Sequence, residues 1–229
     1  GDHHRQAWYG CACCPSQISR FLPSIGNYLY GTSKEAIWVN LYIGSTATIP
    51  LDRGEIILKQ ETRYPWDGAV KLTVQTATPL QKEIRLRVPG WCKQYQLAVN
   101  GQPTEAAEEK GYAVLDRTWQ AGDEITLDME MPVEQVAADP RVKADEGKRA
   151  IQRGPLVYCM EEIDNKATYA KAELSEQTQF QTTFDASLLG GIVRIDATTE
   201  GQTLHLIPYY SWDNREAGQM KVWMDYQEL

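Results

Sequence analysis

The stretch Val70-Lys71-Leu72-Thr73-Val74-Gln75 places an apolar residue at every second position, with polar residues between them. The same alternation returns at 84–88, where two arginines separate three aliphatic residues. Successive side chains of a β-strand point to opposite faces, so each strand has one face in a core and one in water, which is typical of antiparallel sheets. The pairs Asp67-Gly68 and Asn100-Gly101 predict tight turns, because such turns need residues with positive φ.

A second group of strands is predicted after a polar connector, residues 137–148, that contains Pro140 and Gly147. We expect these strands at 150–160, 180–184, 192–198, 203–208 and 219–226, with a polar insertion at 164–179. The pattern predicts a mainly β protein with two antiparallel β-sandwich units, at residues 35–136 and 137–229.

One helix is predicted before the strands, because apolar residues recur there at three- and four-residue spacing. Pro15 suits its first turn, whereas Pro23 should remove one internal hydrogen bond and kink it. The apolar stripe consists of Ile18, Phe21, Leu22, Ile25, Tyr28 and Leu29. The strands that follow offer no helical partner for this stripe. We therefore expect residues 1–34 to be the end of a helical domain whose other helices are encoded before Gly1.

The charge and hydropathy of the chain exclude some classes of partner. Its 229 residues carry 31 acidic against 23 basic side chains, a formal net charge of −8, so a phosphate-neutralising surface for nucleic acid is not expected. No apolar run approaches the roughly 20 residues of a membrane helix, so no membrane partner is expected either. The polar N-terminus has no leader pattern, and the compartment stays open.

The run Cys11-Ala12-Cys13-Cys14-Pro15 carries the strongest chemical signal. A thiol at a helix N-terminus is shifted toward thiolate, the form that attacks carbon or binds metal. Tetrahedral zinc needs four ligands, so this run would need ligands from elsewhere. The alternatives are buried reduced thiols, or an adventitious site shared with His3 and His4. Cys92 and Cys159 follow aromatic residues in apolar strands, and we assign both to the core.

Other polar and aromatic residues leave two interpretations open. Glu161, Glu162 and Asp67 lack the context of an acid/base pair, and we interpret them as surface carboxylates. The loop at 209–215 either faces a partner or ligand, or caps its own sandwich. Several aromatic residues near turns either stack on sugars or seal sandwich edges: Trp8, Tyr9, Trp66, Trp91, Tyr209, Tyr210 and Trp212.

Five segments, in order along nearly the whole chain, resemble the bacterial β-L-arabinofuranosidases of glycoside hydrolase family 127 and their relatives. These are the cysteine run at 11–15, Tyr64-Pro65-Trp66-Asp67-Gly68, Val88-Pro89-Gly90-Trp91-Cys92, Arg153-Gly154-Pro155-Leu156-Val157-Tyr158, and Pro208-Tyr209-Tyr210-Ser211-Trp212 with Asn214-Arg215. The cysteine run is the most specific of them.

The resemblance implies an intact protein with an (α/α) six-hairpin barrel followed by two β-sandwiches. This chain then matches the last barrel helix (1–34) and both sandwiches (35–136 and 137–229). In the family, a zinc-bound cysteine thiolate attacks the anomeric carbon, a glutamate protonates the leaving oxygen, and water releases the sugar with retention. By motif position, Cys13 resembles the nucleophile and a zinc ligand, and Cys14 resembles a second zinc ligand. No role is implied for Cys11.

The family's acid/base glutamate and its remaining zinc ligands, a glutamate and a cysteine, belong to the barrel. We therefore expect the missing N-terminal catalytic barrel and a plant-derived carbohydrate as partners. We also expect zinc to be weakly bound or absent in this chain alone, and the chain alone to be inactive. Two alternative functions are a carbohydrate-binding module for plant glycans and a dimerisation or assembly module.

Overall fold

The structure, a computed structural model, describes residues 5–6, 8, 10–52, 54–199 and 201–228. The chain divides into two compact units. The first unit is Gly10–Met131, and the second unit is Pro132–Leu229 together with the residues that precede Gly10. The described chain is mainly strand, with a single α-helix, so the predicted fold class is confirmed.

Helix α1 spans Cys13–Ser24 and continues as one turn of 3₁₀-helix at Ile25–Tyr28. Pro15 lies in the first turn, as predicted. Pro23 lies inside the helix, one residue before its end, where it has no N–H to donate to the preceding turn. No residue of α1 is buried, and the predicted apolar stripe stays exposed at Ile18, Phe21, Leu22 and Tyr28.

Two sheets enclose the core of the first unit. Five strands form one sheet in the order β1 (Tyr30–Thr32), β2 (Ala36–Val39), β6 (Leu80–Arg87), β10 (Tyr112–Trp119) and β9 (Ala107–Glu109). Six form the other in the order β3 (Ser45–Pro50), β4 (Glu55–Thr62), β5 (Ala69–Thr76), β11 (Glu124–Met129), β7 (Tyr95–Val99) and β8 (Gln102–Pro103). All neighbours are antiparallel except β2 and β6. The alternation that predicted β5 is confirmed, because Val70, Leu72 and Val74 are all buried in the shared core.

One of the two predicted tight turns is confirmed and the other is wrong. Asn100 and Gly101 have φ of 53° and 74°, as a two-residue hairpin turn requires. Gly68 does not have a positive φ. A glycine is needed there because the backbone of Met129 lies very close to its Cα. A Cβ at this position would lie 1.9 Å from the carbonyl oxygen of Met129, whose N–H donates to the Gly68 carbonyl at 3.1 Å.

The strands of the second unit form one nine-stranded sheet. They are β12 (Val133–Ala137), β13 (Lys148–Arg153), β14 (Leu156–Glu161), β15 (Glu173–Ser175), β16 (Gln179–Asp185), β17 (Ile192–Thr199), β18 (Gln202–Pro208), β19 (Met220–Lys221) and β20 (Met224–Gln227). The single strand predicted at 150–160 is a hairpin, because Gly154, with φ of 56°, and Pro155 turn the chain between β13 and β14. Among the described residues of this sheet, β15 and β20 are the one parallel pair.

Both faces of this sheet are buried near its centre. Tyr158 and Met160 contribute to a core on one face of β14. Cys159 points to the opposite face, where it packs with its register partner Ile207 and half-buried Trp212. The run of buried residues in β14 therefore reflects a central strand that is covered on both sides.

The polar insertion predicted at 164–179 is wrong. This segment forms a 3₁₀ turn at Tyr169–Lys171 and strand β15, and Leu174 is fully buried in the core. Buried Asn165 fixes the start of this segment through its side-chain amide. The amide nitrogen donates to the backbone carbonyls of Glu161 and His205 at 2.8 and 2.9 Å, and the amide oxygen accepts the His205 N–H at 2.8 Å. Within the described part of the chain, no helix has the length and apolar content needed to cross a bilayer.

Candidate functional site

The cysteine run forms the first turn of α1 and the residues just before it. Cys13 and Cys14 are the first two helical residues, and all three thiols of the run are exposed. The Cys13 sulfur lies 3.4 Å from that of Cys11 and 3.7 Å from that of Cys14. The interpretation of these cysteines as buried core thiols is therefore wrong, because the helix presents them at the surface.

Local hydrogen bonds explain why the helix begins here. The N–H of Ser16 donates to the Ala12 carbonyl at 3.2 Å, and the Ser16 hydroxyl donates to the Cys13 carbonyl at 3.0 Å. The first turn carries no acidic side chain. The partial positive charge of the helix N-terminus is therefore not offset by a carboxylate in this turn.

The spacing of the thiols fits two corners of a zinc site. Four sulfur ligands at about 2.3 Å from a tetrahedral zinc lie about 3.8 Å apart, close to the 3.7 Å between Cys13 and Cys14. Among the described residues no group of three or more His, Cys, Asp or Glu side chains is arranged to hold a metal. His3 and His4 lie outside the described residues. The spacing of the pair is compatible with two zinc ligands, and the described residues supply no third ligand beside them.

The other two cysteines lie within the strand-rich cores. Cys159 is fully buried, and burial raises the pKa of its thiol to about 12. Cys92 is half-buried against the core of the first unit, and its thiol donates to the Gln94 carbonyl at 3.3 Å. Burial also raises the pKa of Cys92. Both environments disfavour a thiolate.

The interpretation of Glu161 as a surface carboxylate is wrong. Glu161 is only 4% exposed and forms an ion pair with Arg215. The Arg215 guanidinium also bonds Asp164 at 2.6 and 2.8 Å, and these contacts raise its pKa further. The backbone N–H of Asp213 donates to the second Glu161 oxygen at 2.8 Å. The loop at 209–215 is therefore tied to its own unit through these charges.

A contact with Arg5 was not anticipated from the sequence. Its guanidinium donates to the Trp212 carbonyl at 2.6 Å and to the Tyr210 carbonyl at 3.0 Å. Its backbone N–H donates to the Asp213 carboxylate, and its charge lies 5.6 Å from the centre of the Trp212 ring. No local pattern predicts this contact, because 207 residues separate Arg5 from Trp212.

The predicted aromatic residues fall into two groups. Trp91 packs on the core of the first unit and stacks on Tyr64 at 6.3 Å, which favours a sealing role. Tyr209 stacks on Trp212 at 6.2 Å, but Tyr209 itself stays about half exposed. Trp66 is also exposed. Tyr9 lies outside the described residues.

Sequence and structure comparisons find two adjoining family matches. Residues 36–131 match the β-L-arabinofuranosidase GH127 middle domain, and residues 133–225 match the glycoside hydrolase family 127 C-terminal domain. The non-reducing end β-L-arabinofuranosidase of Bifidobacterium longum subsp. longum is 36% identical across 96% of this chain. The chain spans 38% of the length of that relative.

Solved structures of the family superpose closely on this chain. A GH127 β-L-arabinofuranosidase from Geobacillus stearothermophilus T6 matches 99% of it with a TM-score of 0.90 and 38% identity. A second GH127 β-arabinofuranosidase matches 98% with a TM-score of 0.88 and 36% identity. This chain covers 39% and 40% of those two chains. With two adjoining domains matched along 36–225, the chain belongs to glycoside hydrolase family 127.

Proposed function

We propose that this chain supplies the nucleophile loop and the supporting sandwiches of a retaining β-L-arabinofuranosidase, and that the rest of the active site comes from a catalytic domain outside the chain. The observation that carries the proposal is the exposed pair Cys13 and Cys14, held 3.7 Å apart at the first turn of α1. The names of the relatives, which are β-L-arabinofuranosidases, give the proposed substrate class.

The exposed side of α1 supports a missing partner domain. Ile18 and Leu22 lie one helical turn apart, and they are 56% and 59% exposed. Together with the exposed side chains of Phe21 and Tyr28 they form a continuous apolar surface. The Phe21 and Tyr28 rings lie 6.1 Å apart on this surface. Burial of such a surface is favourable, so a helical domain that covers it would also complete the site beside Cys13.

In the proposed reaction, the Cys13 sulfur attacks the anomeric carbon of the arabinofuranoside. The glycosidic C–O bond breaks, a carboxylic acid from the catalytic domain protonates the leaving oxygen, and a covalent thioglycoside remains on Cys13. The carboxylate left by that protonation then takes a proton from water, whose oxygen attacks the anomeric carbon while the C–S bond breaks. This step releases arabinose, regenerates the thiolate and restores the carboxylic acid, and the two inversions give net retention. Bound zinc would keep both thiols deprotonated. In this proposal Cys14 is a zinc ligand, and its sulfur lies 3.7 Å from that of the nucleophile.

The test uses a nitrophenyl β-L-arabinofuranoside. We expect this 229-residue chain to show no hydrolysis. We expect the gene product extended upstream to be active, and Cys13→Ser to reduce that activity on the order of 10³-fold or more, as loss of a nucleophile does. Cys92→Ser is the matched control, since that thiol lies in the sandwich, and it should keep the activity. Full activity after Cys13→Ser refutes the assignment.

A further inference from the structure

Cys11 is the one thiol of the cysteine run that the proposed reaction does not use. Its sulfur donates to the Cys13 sulfur at 3.4 Å, a shorter distance than the 3.7 Å between the sulfurs of Cys13 and Cys14. Both thiols are exposed, so a dissolved oxidant reaches them. A disulfide bond is about 2.05 Å long, so the two sulfurs need to approach by about 1.4 Å, which is within reach of side-chain rotation.

The backbone of the run favours a bond from Cys13 to Cys11 over a bond to Cys14. Consecutive Cα atoms lie about 3.8 Å apart across a trans peptide, below the roughly 4.4–6.8 Å that a disulfide spans. Cys13 and Cys14 are the first two residues of α1, so the helix holds them in this unsuitable arrangement. Residues two positions apart, such as Cys11 and Cys13, have Cα atoms about 5–7 Å apart, which overlaps the range of a disulfide.

Cys11 lies before the helix, where it can move without breaking helical hydrogen bonds. The N–H of Ser16 donates to the Ala12 carbonyl at 3.2 Å. In the same helical pattern the Cys11 carbonyl would accept the N–H of residue 15, but Pro15 has no N–H. The helix therefore holds the Cys13 backbone, while the backbone of Cys11 is outside it and can adjust.

We propose that Cys11 is a resolving thiol, which closes a reversible disulfide with Cys13 after a peroxide has oxidised the Cys13 sulfur. The bond removes the nucleophile and one of the two proposed zinc ligands, so the site is inactive until a reductant restores both thiols. Without a second thiol, a sulfenic acid is oxidised further to sulfinic and sulfonic acids, which dithiothreitol does not reduce. The loss of activity rests on the proposed function, whereas formation of the disulfide does not.

The reaction has two steps and needs only the peroxide as oxidant. In the first, the Cys13 sulfur attacks one peroxide oxygen and the O–O bond breaks, which leaves a sulfenic acid, while the thiol proton departs with the second oxygen as water. In the second, the Cys11 sulfur attacks the sulfenic sulfur and the S–O bond breaks. The released hydroxide takes the Cys11 proton as a second water. Two thiols have then given two electrons to one peroxide.

The first test maps the thiols and does not depend on activity. The full-length gene product that carries this chain is treated with hydrogen peroxide, and its remaining thiols are alkylated with N-ethylmaleimide. Trypsin then cleaves after Arg5 and Arg20 and releases a peptide, residues 6–20, that contains all three cysteines of the run. Mass spectrometry should show that this peptide has lost two hydrogens and carries the alkyl group on Cys14. An alkyl group on Cys11 or Cys13, or on all three thiols, overturns the proposal.

The second test compares the recovery of activity on a nitrophenyl β-L-arabinofuranoside. In the unmodified protein, peroxide should lower the rate about ten-fold or more. Dithiothreitol should then return the rate to within about two-fold of its starting value. Cys11→Ser should equal the unmodified protein before oxidation and should recover less than about a tenth of its rate afterwards, because Cys13 then lacks its resolving thiol.

Cys92→Ser is the matched control, because it changes a half-buried thiol outside the run, and it should recover like the unmodified protein. Equal recovery of Cys11→Ser and the unmodified protein overturns the proposal. If Cys11→Ser does not fold, the alkylation map of the unmodified protein decides alone. Full activity of Cys13→Ser, measured in parallel, refutes the proposed function instead, and the same map still tests the disulfide.

Discussion

Arg215→Ala is the change that most directly probes how the second unit is held together. In the structure, the guanidinium neutralises Glu161, which is 4% exposed, and also bonds both oxygens of Asp164. The truncation leaves Glu161 charged and buried, while the Asp213 N–H still donates to its other carboxylate oxygen at 2.8 Å. A carboxylate that has lost most of its solvation and its partner destabilises the folded state.

The magnitude follows from the burial of the two partners. Removing one partner of a buried ion pair lowers the free energy of unfolding by about 3–5 kcal/mol. The Arg215 side chain is 18% exposed, so water screens part of the charge and we expect the lower end, about 3 kcal/mol. For a unit of roughly 100 residues, each kcal/mol lowers Tm by about 4–8 °C. The predicted fall in Tm is therefore roughly 12–24 °C.

Differential scanning calorimetry of the chain measures this change on the transition of the second unit, and hydrogen exchange of β14 peptides assigns the transition. Arg141→Ala is the control, because its pair with Asp139 is exposed and contributes less than about 1 kcal/mol. A transition of Arg215→Ala within about 4 °C of the unmodified protein would show that Glu161 is not held by this pair.

Two further predictions concern other sites. Gly68→Ala places a Cβ 1.9 Å from the Met129 carbonyl oxygen, so we expect the free energy of unfolding in urea to fall by at least about 1–3 kcal/mol. Gly90→Ala is the control and should be nearly neutral, because a Cβ there meets no atom within 4 Å. Equal stability of the two variants would contradict the close approach at Gly68. Burial raises the pKa of Cys159 to about 12 from about 8.5 when unfolded, so its stabilising contribution is complete below pH 8.5 and is lost toward pH 12. Alkylation of the folded chain at pH 8 followed by mass spectrometry should modify the exposed thiols at 11–14, and labelling of Cys159 there would refute this.

Local periodicity predicted most of the strands because burial on one face leaves a two-residue pattern in the sequence. The helix also followed from its apolar spacing, and Pro23 marked the region where it ends. The exposed placement of Cys13 and Cys14 agrees with the predicted position at the start of that helix. The zinc and nucleophile roles of these two residues stay predictions.

The errors arose where tertiary contacts override local composition. Residues 164–179 are polar, yet Leu174 enters the core and Asn165 bonds the backbone of β18 forty positions away. Glu161 resembled a surface residue because its partner, Arg215, lies 54 positions later. A carboxylate that directly follows the apolar run of β14 was the one available signal of a buried ion pair.

The second unit combines residues from both sides of the first unit in the sequence, and this arrangement bears on biosynthesis. A ribosome adds about 5–20 residues per second, so the 207 positions between Arg5 and Trp212 correspond to about 10–40 s of translation. During that interval the nascent chain can complete the first unit, while the loop at 209–213, which Arg5 contacts, has not yet been synthesised. We therefore expect Arg5 to form these contacts only after translation has passed residue 213.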